Sequence, residues 1–454
     1  MSSREPRSEL WWASPTGAVL LVVPVSIWLA WSTSDLNFRL LYRTPRLITD
    51  GLAALFVAGG LMLILGIAVG SAAHSRRRPE QWPGLDGAQL DVVQRAAGVC
   101  FWLTVTGYAA FAVGGASRGA TPRLVLDALT SQDLFGNELE ELFAPVTGIT
   151  TLTQFGVAYS VLAGVLWVSG RRGVVLRRLA IVMTLALLRT FVLTERLALI
   201  EIVIPLVVTI AVHRHRSGDR KAGLAPLVAL PALVLMFGIF EYSRSWVFFR
   251  TRTTSSYPEF VLDRLAGYYS TAYNNGAAQL IDGGYPGRLP YHVLEALWTA
   301  PGVAQLRLYE RLSGRSAEVA YGDVLLQRAN PEFNNRCGLC SPFVDLGTVG
   351  ALLYLLAAGL LVGVAWGSFR AGGVAGLLSY PVVFLGLLEL PRYLYWSQGR
   401  LVPAALALIV TAVVLRRLGK AAGSAAYRRV ELPPARETPR LASNSCRVES
   451  PRRP

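Results

Sequence analysis

The sequence predicts an all-α, polytopic membrane protein with about ten transmembrane helices, and three observations carry that prediction. Charged residues make up 16% of the 454 residues, against about 25% in an ordinary soluble chain. Apolar residues gather in blocks of about 16 to 24, the length a helix needs to cross a hydrocarbon core. The basic residues fall mostly between those blocks, where the positive-inside rule puts them. The net charge of +15 therefore does not point to nucleic acid, since no single arm or face collects it.

The first block, 15–31, follows Arg4 and Arg7 and imitates a signal peptide. No convincing small-x-small cleavage site follows it and more apolar blocks come after, so we read it as a retained first helix. Further blocks run 51–70, 97–114, 147–169, 179–193, 197–212 and 224–240, and after a long polar gap 343–366, 374–390 and 401–415. The stretch 179–212 is too long for one helix of about 20 residues. Thr194, Glu195 and Arg196 interrupt it, dividing it into two short spans with a tight turn between them. The expected organisation is a seven-span bundle over 1–240, an extracytoplasmic helical loop domain over 241–342, three spans over 343–415, and a tail over 416–454. The tail is rich in Pro, Arg, Ser and Glu without hydrophobic periodicity, which predicts cytoplasmic disorder. No internal repeat is visible, so an inverted-repeat transporter gains no support.

Orientation follows from charge. With the N-terminus inside, the inner segments carry 18 Lys or Arg and the short outer connections 8, which favours both termini inside and an even number of spans. The outer connection 115–146 is acidic, with Asp127, Asp133, Glu138, Glu140 and Glu141.

The loop 241–342 holds 15 aromatic residues, 10 Arg and 9 Asp or Glu. Val261, Leu265, Tyr268, Tyr269 and Ala272 repeat at helical spacing, predicting short amphipathic helices on the membrane mouth. Tyr and Trp beside Arg and Asn suit sugar rings; the plainer reading makes them a small core and an interfacial belt. Arg189 stands inside an apolar run, where it must be paired, hydrated or able to snorkel. It and Arg196 flank the outer end of the split pair, beside Glu195 and Glu201. Their forked guanidinium groups suit a phosphate or diphosphate; the alternative is a structural ion pair of Arg196 with Glu195 or Glu201. Arg244, Arg250 and Arg252 crowd the exit of the seventh span, and Arg392 and Arg400 the last outer turn. Asp345 at the lip of the eighth span is either a charge favoured by the helix dipole or part of the site. Gly347 and Gly350 just after it fit close helix packing. His292, the only outer histidine, is read as a surface residue before a general base.

Of four cysteines, Cys100 lies in a span and Cys446 in the tail, while Cys337 and Cys340 form a C-x-x-C in the outer loop. A local disulfide is favoured over free thiols and over metal binding. Walker A, Rossmann and H-E-x-x-H patterns are absent, so nothing supports ATP-driven transport or ordinary metallohydrolysis.

Asn330-Pro-Glu-Phe-Asn-Asn335 leads through the cysteines to Ser341-Pro-Phe-Val-Asp345-Leu-Gly-Thr-Val-Gly350. This run resembles the end of the large loop in the O-antigen polymerase and oligosaccharide repeat-unit polymerase family, within the O-antigen ligase–polymerase superfamily. An Arg-bearing split pair of spans and one large outer loop before the final spans belong to the same resemblance, which covers roughly residues 50–415. It implies an integral-membrane glycosyltransferase of the inner (cytoplasmic) membrane, active at the outer face in cell-envelope polysaccharide biosynthesis. Such enzymes move a glycan from polyprenyl diphosphate onto the non-reducing end of another, with inversion. They need no nucleotide sugar, metal or other cofactor, because the lipid diphosphate is the leaving group. The implied partners are the polyprenyl-diphosphate-linked oligosaccharide, membrane lipids, a chain-length regulator and a flippase. Arg196 and Arg244 match the family best; Arg250, Arg252 and Arg392 match by location only. Arg196, Arg244 and Asp345 are thus the candidate catalytic residues, and Arg189, Arg250, Arg252, Arg392, Asn330 and Asn334 the candidate substrate-binding ones. A clear catalytic His motif of the ligases is missing from the loop, which moves weight toward polymerase.

Two other classes compete. A ligase, or another glycosyltransferase of the GT-C group using polyprenyl-phosphate sugars, fits the architecture; Asp35 and Asp50 in the first outer connection are not the adjacent acidic pair that group carries. A flippase or solute transporter would place charged or broken helices near the bilayer midplane, where only Arg189 qualifies.

Overall fold

A computed structural model describes residues 9–73, 82–130, 139, 141–146, 148–193, 195–246, 249–251, 255–282 and 289–431. Among these the chain is helical with no strand. The helices are α1 (Pro15–Ser32), α2 (Asp35–Leu41), α3 (Asp50–Ala72), α4 (Gly87–Ser117), α5 (Pro122–Thr130), α6 (Phe155–Val168), α7 (Gly173–Val192), α8 (Leu197–Arg216) and α9 (Ala225–Glu241), then α10 (Tyr257–Asp282), α11 (Glu295–Trp298), α12 (Leu308–Ser313), α13 (Ala317–Arg328), α14 (Ser341–Arg370), α15 (Val374–Glu389) and α16 (Val402–Glu431). Among the described residues eight helical segments are long and apolar enough to cross a membrane, which makes the chain a multi-pass membrane protein.

Local sequence sets where these helices begin. Ser14 accepts from the Gly17 amide at 3.0 Å and Thr49 from the Leu52 amide at 3.3 Å, satisfying first-turn donors of α1 and α3. Asp86 and Gln89 form a reciprocal capping box, at 2.8 and 3.0 Å. That is why α4 starts ten residues before the apolar block that starts at Ala97. α7 ends at Val192 and α8 starts at Leu197, as the interruption in the apolar run predicts.

Packing is graded from centre to edge. In the segment containing α6, 78% of the apolar window is buried, against 17% for that containing α9; Leu227, Val228 and Leu235 on α9 stay exposed, as side chains meeting lipid would. The tightest pair is α3 with α14. A Cβ at Gly66 or Gly70 would lie 2.1 Å from a carbonyl oxygen of α14, and one at Gly359 or Gly363 within 2.3 Å of a carbonyl oxygen of α3. Two glycines four apart on each helix let the backbones touch, as small-xxx-small surfaces do in membranes.

Three expectations change. The segment 260–273, expected as a short helix on the mouth, is part of the 26-residue α10, which enters the bundle; short helices remain at α11, α12 and α13. Ala272, Tyr273, Cys337 and Cys340 belong to the same hydrophobic core as the apolar helices. Its small residues allow that entry: a Cβ at Gly276 would meet Cys340 Sγ at 2.5 Å. Second, Gly347 breaks α14 after its first turns with a φ of +85°, a conformation glycine alone adopts without strain, and Gly350 does not serve packing between helices, since a Cβ there would meet only Leu346 of its own helix. Third, the tail is not disordered from residue 416: α16 continues to Glu431 on a run containing Ala421, Ala422, Ala425 and Ala426, the residue with the highest helix propensity. The remainder, 432–454, lies outside the described residues.

Candidate functional site

The ends of α7, α9 and α15 and the starts of α8 and α16 meet at one end of the bundle, under the first half of α10. Buried charge concentrates there. Arg196, at the N-terminus of α8, is ion-paired with Glu241, the last residue of α9, which is fully buried. The second oxygen of Glu241 accepts from Arg264 of α10 at 3.3 Å. Arg264 also meets Glu332 at 3.0 Å, and Glu332 reaches Arg43 at 3.5 Å. One chain of alternating charge therefore runs Arg196–Glu241–Arg264–Glu332–Arg43. Burial works against the charge on Arg264, but Glu241, Tyr268 and Glu332 outweigh it and raise its pKa, so it stays cationic.

Three further pairs extend this layer. Arg392 meets Glu389 at 3.0 Å, Arg400 meets Glu201 at 3.0 Å, and Arg189 meets Glu195 at 2.5 Å while donating to Thr153 Oγ at 2.9 Å. Tyr395 donates its hydroxyl to Glu201 at 2.9 Å. Tyr268 is the hub: its ring centroid lies 5.4 Å from the Arg196 guanidinium carbon and 5.8 Å from that of Arg392. Arg196 also lies 4.0 Å over Phe237, and Arg264 4.5 Å over Phe333. Phe38, Tyr42, Phe237, Val261, Tyr268 and Phe333 form a separate buried cluster that shields the charges and strengthens each pair by excluding water.

The structure thus brings together Arg189, Arg196 and Arg392 among the predicted site residues. The alternative partners of Arg196, Glu195 and Glu201, serve Arg189 and Arg400 instead. Arg250 is exposed on the turn before α10 and has no side-chain hydrogen bond or ion pair among the described residues. Arg244 lies in the π-helical turn Tyr242–Trp246; its side chain, and all of Arg252, lie outside the described residues.

Other predicted residues hold the loop in place. Asp345 is buried and accepts from the Val293 amide at 2.8 Å, anchoring the turn that follows Tyr291. The Gly347 break frees that first turn of α14 to reach it. Asn330 accepts from the Glu332 amide and donates to the Tyr42 carbonyl, both at 3.0 Å. The Asn334 side chain is exposed, while its carbonyl accepts from Tyr321 at 2.9 Å. Cys337 and Cys340 are joined by a disulfide. His292 is not a surface residue: it is buried, and burial together with Arg336 pushes its pKa down to about 3, so the imidazole is neutral and a weak base.

Sequence reasoning missed Arg264, Glu241, Glu332 and Glu389 as members of the layer. The signal was faint: Arg264 sits on the apolar stripe of α10 one residue before Leu265. It also missed the buried polar face of α10. Asn274 accepts from the Leu47 and Ile48 amides at 2.6 and 3.2 Å, and Asn275 donates to the carbonyls of Phe333 and Asn335 at 2.7 and 3.0 Å. The aromatics mostly build core, with Tyr268, Tyr273, Tyr291, Tyr321 and Phe333 buried. At the lip, Tyr242 is exposed and stacks edge-on to Tyr257 at 5.4 Å, with Trp246 5.3 Å from Tyr257.

No family profile, curated protein or solved structure matches the chain. The site is therefore argued from its own geometry.

Proposed function

We propose that the chain is an integral-membrane glycosyltransferase that polymerises polyprenyl-diphosphate-linked oligosaccharide repeat units at the outer face of the cytoplasmic membrane. In this reading α7 and α15, the first interrupted by arginines and the second only 16 residues long, complete ten spans with both termini inside. The charge balance of the connecting segments supports that orientation, which places the arginine–glutamate layer and α10 at the outer face.

The observation that carries the proposal is the convergence of Arg196 and Arg392 on the Tyr268 ring, with Glu241 shared between Arg196 and Arg264. Six arginines in the layer face five glutamates. Each guanidinium is already oriented by a carboxylate, so a diphosphate entering the layer finds its donors in place. As it takes over donors from Glu241, that carboxylate is released to act as base. The acceptor hydroxyl oxygen attacks the anomeric carbon and passes its proton to Glu241. The bond from that carbon to the diphosphate oxygen breaks with inversion, and the arginines hold the charge that develops on the leaving diphosphate. Exposed Tyr242, next to Glu241 in sequence, offers the acceptor sugar a stacking face.

Deleting the gene and resolving lipid-linked and surface glycans by size tests this. Loss of the long ladder with accumulation of a single repeat unit is the expected result. Full-length glycan stranded on its carrier would make the protein a ligase, and an unchanged profile would return it to the transporters.

A further inference from the structure

At the end of the bundle opposite the arginine–glutamate layer, two adjoining clefts of about 330 and 450 Å³ open between α4, α6, α7 and α8. Arg172 stands in the wall of both. The first is lined in addition by Arg171 and Arg178, the second by His213 and Arg214. Two of these cations are already neutralised: Arg171 meets Asp91 at 2.6 Å and Arg214 meets Asp219 at 2.9 Å. Arg172 and Arg178 have no ion-paired carboxylate among the described residues. They rest instead on rings, Arg172 at 5.5 Å over Trp167 and Arg178 at 5.3 Å over Phe101.

Beneath the cations the walls are apolar, with Leu166 and Val175 in the first cleft and Trp167 and Ile210 in the second. Beside the first, Val99, Trp102 and Leu176 are exposed on α4 and α7, on faces that only a lipid phase would cover.

We propose that the paired clefts bind an acidic phospholipid, its phosphodiester between Arg172 and Arg178 and its acyl chain along the apolar wall and onto Leu176. Two forked cations without carboxylates supply charge-assisted donors to phosphate oxygens. The apolar floor, continuous with a membrane-facing surface, selects a lipid over a free anion. The volumes suit a headgroup and the first part of a chain, and the neighbouring Asp91 and Asp219 are both occupied, so neither opposes the phosphate. This site is separate from the layer above and does not depend on the glycosyltransferase reading.

The test is native mass spectrometry of the purified full-length protein with added phosphatidylglycerol, phosphatidylcholine or inorganic phosphate. Phosphatidylglycerol should be retained in preference to phosphatidylcholine. The Arg172→Gln/Arg178→Gln double variant should bind it about tenfold more weakly, while Arg177→Gln, exposed and outside the clefts, should bind it as the wild type does. Equal retention by wild type and double variant, or no preference for the acidic lipid, overturns the proposal. Inorganic phosphate displacing phosphatidylglycerol at matched concentration overturns the lipid assignment. Hydrogen exchange on the wild type keeps the question decidable if the double variant does not fold. Phosphatidylglycerol should slow exchange over residues 171–178 and phosphatidylcholine should not, and identical exchange in the two lipids refutes the site.

Discussion

At one end of the bundle Arg189, Arg196, Arg264, Arg392 and Arg400 are each held by a glutamate, whereas at the other Arg172 and Arg178 rest on aromatic rings with no carboxylate partner among the described residues. The difference follows from burial. The paired arginines are deep; Arg264 side chain is 8% exposed and Arg196 12%, and a lone charge at that depth costs several kcal/mol. Arg172 is exposed and Arg178 half-buried, so water or a headgroup completes their solvation. An arginine that reaches solvent needs no partner, while an arginine inside the protein must come with one. The second kind builds a charge-balanced layer.

The sharpest way to break this contrast is Glu241→Gln. It leaves Arg196 and Arg264 sharing one fewer carboxylate in a buried site, and should cost about 3–5 kcal/mol, read as loss of denaturant or thermal stability in detergent. Glu332→Gln, whose side chain is 40% exposed, should cost no more than about 1 kcal/mol. Similar costs for the two would mean that burial does not decide the value of these pairs.

A pH scan probes the loop beneath the layer. His292 has its pKa pushed from 6.5 to about 3 by burial first and Arg336 second. The unfolded chain takes up a proton below pH 6.5 and the folded one only near pH 3. The resulting stability is therefore complete above pH 6.5 and lost as pH falls toward 3. His292→Gln should flatten that acid limb in a melting-temperature profile; an unchanged limb would place the sensitivity elsewhere.

Two smaller effects sharpen the comparison. Tyr395→Phe removes one donor to buried Glu201 and should cost about 1.5–3 kcal/mol, measured by the same melts. Arg172→Gln/Arg178→Gln in neutral detergent should cost at most about 1 kcal/mol, the scale of exposed cation–π contacts. A larger loss would show that these arginines are structural after all.

How far the sequence carries the reader differs between the same two regions. The spans were legible because each apolar block must satisfy its own backbone inside a membrane, and a helix does that locally. The turn at Arg196 was legible because three polar residues interrupt an overlong run. Arg189 was readable as needing a partner, since an arginine inside an apolar run cannot stay alone. The identity of that partner was not readable, because pairings such as Arg196 with Glu241 join residues 45 apart on different helices. Nor was the depth of α10. Its Asn274 and Asn275 look like surface residues until their hydrogen bonds to the backbone of 47–48 and 333–335 are seen. Asp345 was read as a dipole charge or a site residue; that it also accepts from the Val293 amide of a distant turn is a role only tertiary contact defines.

The central claim, that the arginine–glutamate layer transfers glycans, is tested most directly by complementing the gene deletion with Arg196→Lys and Arg392→Lys. Lysine keeps each positive charge against its glutamate and removes the fork that binds a diphosphate at two oxygens. The account predicts that both variants reach wild-type levels in the membrane yet fail to restore the long glycan ladder, with single repeat units accumulating. A full ladder from both variants would contradict it and leave the layer a structural device alone.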